Sequence, residues 1–172
     1  MIRIAEPWWV NLLIAVPMAL WFVPRKGTAG LGKERLALTG VFGIAFGLVE
    51  AAVVIYLRAA SSPASELHSS AFVVVPHQLL RFEVWREAAT MVMLGSIAWL
   101  AAQNAREKAL AFLWTFAWWD LAYYAWLRVA VGWPQSLLTP DVLFLIPVPW
   151  LGQVWFPILV SGLTAAAIWR RA

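Results

Sequence analysis

Apolar residues in this chain fall into five long runs, separated by short stretches that are polar, basic or rich in turn formers. The runs cover about 8–23, 36–57, 82–103, 110–131 and 152–169. The hydrocarbon core of a bilayer is ~30 Å thick and takes ~20 apolar helical residues to cross. The pattern therefore predicts an all-α fold: one polytopic integral membrane helical bundle over residues 1–172, with about five transmembrane helices. The first run is bracketed by Trp8, Trp9, Trp21 and Phe22, an aromatic belt at each end. It reads as a retained helix and not a cleaved signal, because only Arg3 precedes it, Glu6 opposes that charge, and no A-x-A-like site follows.

Two stretches depart from the helical pattern. The segment AASSPASELHSS is polar and turn-forming, and Ala71–Val75 after it is too short to span, which suits a stretch lying along the interface. Before the last run, LFLIPVPW cannot be a regular helix, since Pro147 and Pro149 push Ile146 and Val148 toward extended geometry. A proline-rich irregular or re-entrant segment is expected there, a lid over the outer mouth of the bundle. Backbone of that kind persists at membrane depth only where protein or water covers it.

Composition strengthens the membrane reading. Hydrophobic residues make up 63% of the 172, charged residues 13%, and the mean hydropathy is +0.75. Soluble domains run at about 45–50% apolar and about 25% charged. A net charge of +4 and a pI near 10.0 do not point to nucleic acid, because the basic residues sit in small groups at helix ends and form no phosphate-binding stripe. Those groups act instead as topology signals. Arg25, Lys26, Lys33, Arg35, Arg106, Lys108, Arg170 and Arg171 share one side, with only Glu34 and Glu107 among the acidic residues there. The positive-inside rule then places the N-terminus outside and the C-terminus in the cytoplasm, in a bacterial-type inner membrane. With no cysteine, disulfides, thiolate metal sites and thiol nucleophiles are excluded.

The remaining charges carry the candidate chemistry. Helical spacing puts Glu83, Glu87 and Thr90 on one face of the third helix, with Arg86 beside them. In the second helix Gly43, Gly47 and Glu50 follow i, i+4, i+7, so a face that lets another helix approach closely also carries the carboxylate. Asp120, Tyr124 and Arg128 share a face of the fourth helix, with Tyr123 next to it. An outward-facing, carboxylate-rich pocket is expected, because ionisable groups at membrane depth are costly and need partners.

Three chemistries fit such a pocket. Salt bridges of Glu50 or Glu87 with Arg58, Arg86 or Arg128 would pin helices together. A divalent metal, iron or manganese, could be held by Glu50, Glu83, Glu87, Asp120 and His77, although the Glu-x-x-His spacing of di-iron bundles is missing. Acid–base chemistry would use Glu50, Glu87 or Asp120, with Tyr124 and Arg128 positioning a substrate. No G-x-S-x-G, P-loop or dinucleotide fingerprint is present. The expected activity is that of a membrane enzyme acting on a lipid- or quinone-like substrate. The alternatives are a non-catalytic subunit or scaffold of a larger membrane complex and, third, a proton-coupled carrier working as a homo-oligomer.

Overall fold

The computed structural model describes residues 5–22, 31–61 and 77–172. The side chains of Ser61, His77 and Gln78, the 23–30 part of the basic loop and the 62–76 loop lie outside the described residues. The fold is mostly helical. A short strand β1 (Ala5–Glu6) leads into a 3-10 helix (Trp8–Ile14) and then α1 (Ala15–Phe22). There follow α2 (Lys33–Ser61), α3 (His77–Ala101), α4 (Ala105–Val131), strands β2 (Pro140–Phe144) and β3 (Trp150–Gln153), and α5 (Trp155–Trp169).

The first apolar run is thus two helices in series. It switches to α geometry at Ala15, two residues before the buried Pro17. Asn11 ties this segment to β1, its side chain bonding both N and O of Ala5 at 3.0 and 2.9 Å. Helix α3 begins earlier than apolarity alone indicates, at His77. α4 also begins early, because Asn104 caps it: its side-chain oxygen accepts from Glu107 N at 3.0 Å. The same helix ends at Gly132, whose φ of 72° is the left-handed stop that glycine adopts without strain.

The stretch expected to be irregular is an antiparallel hairpin. Pro147 and Pro149 fall between β2 and β3, and Pro140 takes the first position of β2, so 141–144 and 150–153 keep N–H groups able to pair. β1 adds on the far side of β3, giving a three-stranded sheet in the order β1-β3-β2.

The core is built on α4. Its partner is α2, and the glycine stripe is the contact: a Cβ on Gly43 would lie 2.7 Å from Thr115 O, and one on Gly47 2.7 Å from Trp119 O. The two helices run parallel, with Gly40 against Trp114 and Gly47 against Ala122. Helix α5 runs back along α4, stacking Trp169 on Trp114. Leu36, Ala98, Leu110 and Ile168 therefore pack together at one end of the bundle, beside Lys33, Arg35, Arg106, Lys108, Arg170 and Arg171 in sequence. The acidic residues Glu50, Glu83, Glu87, Asp120 and Asp141 belong to the other half.

Among the described residues one helix, 33–60, is by itself long and apolar enough to cross a membrane. Trp8–Phe22 and Trp155–Trp169 are apolar but shorter.

Candidate functional site

The glycine contact fixes the site's first residue. With Gly43 and Gly47 pressed on α4, Glu50 one turn further on turns into the bundle, 4% exposed. There it meets α3: Arg86 forms an ion pair with Glu50 Oε2, and the Thr90 hydroxyl donates to Oε1. Arg86 also binds Glu83 Oε2 through Nε at 3.0 Å and Nη2 at 2.9 Å. One guanidinium thus serves two carboxylates, one of its own helix and one of α2.

Glu87 points elsewhere. Both of its oxygens lie 2.9 Å from the backbone N of Leu145, just beyond β2, so a carboxylate of α3 holds the hairpin down on the helices. Asp120, buried in the middle of α4, accepts from the Ser161 hydroxyl of α5 at 2.7 Å. One turn later Tyr124 donates its hydroxyl to Asp141 Oδ2 at 2.9 Å. Asp141 is itself buried in β2. Burial pushes its carboxyl up to about 7, against the lowering effects of the Tyr124 hydroxyl, the Val142 N–H and the Arg58 charge.

Glu50, Arg86, Glu87, Asp120, Tyr123 and Tyr124 line a cavity of about 70 Å³, together with Val142–Phe144 of the hairpin. It has room for water and none for the body of a substrate, which takes ~300 Å³ or more. Tyr124 also lines an open cleft of about 400 Å³ on the other side of α4, with Leu121, Arg128, Gln135, Leu137 and Ile158. A longer apolar groove of about 570 Å³ continues from Leu121 between α2, α4 and α5.

The chain matches no family model, and no curated protein or solved structure matches it. The site must be judged on its own geometry.

Of the residues singled out by sequence, Glu50, Glu83, Glu87, Asp120 and Tyr124 come together around Arg86 and the small cavity. Arg128 does not join them. It is exposed, and its Nη1 bonds the carbonyls of Gly132 and Pro134 at 2.5 and 3.0 Å, bracing the turn after α4 at the rim of the open cleft. The expected metal set does not form: no group of three or more His, Asp or Glu side chains placed to hold an ion occurs among the described residues. Glu50 and Glu83 share Arg86, Glu87 turns to the Leu145 amide and Asp120 to Ser161, which draws the carboxylates apart, and the His77 side chain lies outside the described residues.

Sequence reasoning assigned no site role to Asp141, Ser161 or Trp133, and offered Arg58 only as a salt-bridge partner of Glu50 or Glu87, neither of which it pairs with. An aspartate inside the apolar stretch 140–146 was the available signal for the first. For Arg58 it was a position at the end of an apolar helix, two turns beyond Glu50. Arg58 is 3% exposed and lies with its guanidinium carbon 4.3 Å from the centroid of the Trp133 ring. Ser161 and Trp133 carry no signal in sequence, because only the packing of α5 and of the 132–134 turn brings them inward.

Proposed function

We propose that this chain is a five-helix integral membrane protein whose internal polar pocket performs acid–base chemistry on an amphipathic, lipid- or quinone-like molecule held in the adjoining cleft. The membrane assignment is supported by what the helices leave outside: Trp85 is 75% exposed, Leu100 79% and Val129 78%. Large apolar side chains of this kind are exposed on every long helix, among them Val41 and Tyr56 of α2 at 64% and 72%. The fifteen residues of α5 rise only ~23 Å, but β3 runs directly into them and lengthens the segment. Positive-inside places the Lys33, Arg106 and Arg170 end in the cytoplasm and the pocket toward the outer face.

The observation that carries the chemistry is Tyr124, which lines both the small polar cavity and the open cleft and bonds Asp141. A group in the cleft can give a proton to the Tyr124 oxygen as Tyr124 passes its own proton to Asp141, so the change of charge ends on the aspartate. An acceptor whose pKa lies near the working pH suits that step. The apolar groove leading from Leu121 would take the tail of an amphiphile.

A second reading is favoured by the Glu50–Arg86–Glu83 triad, in which one guanidinium ties a carboxylate of α2 to one of α3: a pinned scaffold, acting as a subunit of a larger membrane complex or as a homo-oligomer. The two differ in their products. Membranes from cells producing the wild type, Tyr124→Phe or Asp141→Asn are to be compared for lipid and quinone composition by mass spectrometry. A species changed by the wild type and by neither variant is expected. Identical profiles, from variants that melt like the wild type, would reject the enzyme in favour of the scaffold.

A further inference from the structure

We infer that Arg58 and Trp133 form an oxyanion-binding site at the outer end of α2, taking a ligand that carries a phosphate or a similar oxyanion. Arg58 is almost wholly buried, and its Nε and Nη1 are sealed from solvent with no hydrogen-bond partner. Trp133, on which it stacks, is 1% exposed, and its indole N–H is likewise buried without a partner. Every unsatisfied group here is a donor. The missing partner must therefore be an acceptor, and beside a guanidinium it is an anionic one.

The chain's own carboxylates do not fill that role. Asp141 is near enough to feel the charge of Arg58, but its oxygen is given to Tyr124 and the pair does not reach ion-pair distance. Glu50, two turns back on α2, is taken by Arg86 and Thr90. Other indoles, Trp118, Trp119 and Trp150, are also unpartnered, but they are neutral and Arg58 is not. Leaving a guanidinium buried and unpaired is far more costly than leaving an indole so, and a planar fork of N–H donors is matched by the paired oxygens of phosphate or carboxylate. The stacked tryptophan holds the plane of that fork. Neither residue belongs to the proton relay, so this site stands apart from the acid–base reading.

The test is thermal melting of the full chain in neutral detergent micelles. Sodium phosphate is compared with sodium chloride at equal ionic strength, and micelles containing phosphatidylglycerol with micelles containing phosphatidylcholine. Phosphate or the anionic lipid should raise the wild-type Tm by about 2–4 °C or more. A shift with inorganic phosphate identifies a soluble oxyanion as sufficient, and a shift with phosphatidylglycerol alone identifies a lipid headgroup. Arg58→Gln should abolish the shift and, without ligand, melt no lower than the wild type, since it removes an unpaired buried charge. Trp133→Phe keeps the stack, removes one donor and should weaken the shift, which keeps the site testable if Arg58→Gln does not accumulate. A wild type unmoved by both anions overturns the site. So does an Arg58→Gln protein destabilised as strongly as Asp141→Asn, because the two residues would then be structural partners.

Discussion

Single residues in this bundle are set by which donor reaches them first. Glu87 brings both its oxygens to the Leu145 N–H, so Glu87→Gln, which keeps a carbonyl oxygen for Leu145, should hold the hairpin in place. Glu87→Leu cannot accept, and the Leu145 amide should then exchange hydrogen faster by at least tenfold, a loss of ~1.4 kcal/mol of local protection. Equal protection in both variants would mean that the hairpin is held by its strands alone. Asp141 gives a pH dependence whose sign is fixed by its raised pKa. Between the ordinary aspartate value of 3.8 and about 7, the folded chain keeps a proton that the unfolded chain has released. That contribution to stability is complete below the lower limit, declines as pH rises, and is gone above the upper one. The wild-type Tm should accordingly fall between pH 5 and pH 8, and Asp141→Asn should flatten the fall. Because no three carboxylates converge among the described residues, adding a chelator should leave the Tm unchanged; a marked drop would restore the metal reading.

The closest meeting of elements, α2 on α4, is made through glycine. α2 lies so close to α4 that a methyl group at Gly43 or Gly47 meets backbone, which cannot rotate away. Gly47→Leu should cost at least the ~1–3 kcal/mol of an overpacked core, seen as lost accumulation or a lowered Tm. Gly95 is the control, since nothing lies within 4 Å of its added Cβ. Gly95→Ala should be neutral or slightly stabilising, up to ~1 kcal/mol, because alanine loses less entropy in a helix. If Gly47→Leu melts like the wild type, the two helices are not in contact along this face.

For the whole molecule, the orientation is the property that places the pocket on one side of the membrane. A reporter active only outside the cytoplasm should work when inserted at 135–140 and fail after Lys108 or Arg171. Activity after Lys108 would overturn either the five-helix crossing or its direction.

Helix number, the glycine face of α2 and the half of the bundle that holds the acids are legible in sequence, because each depends on local spacing: 3.6 residues per turn and the length of an apolar run. That Gly43, Gly47 and Glu50 share a face already implies that Glu50 turns inward. The pairings were not legible, because they join residues far apart in the chain. Which carboxylate takes Arg86, that Glu87 reaches Leu145 and not an arginine, and that Ser161 meets Asp120 all follow from the parallel docking of α2 on α4 and the return of α5. The hairpin is a third case. Prolines at 147 and 149 exclude a helix, but only the pairing of β2 with β3, and of β3 with β1, makes the segment a sheet. Arg58 and Arg128 show the same division. They are chemically alike and both lie near a helix end, yet packing buries one against Trp133 and leaves the other exposed on the carbonyls of Gly132 and Pro134. Local periodicity decides which way a side chain leaves its helix, and only the tertiary structure decides what it finds there.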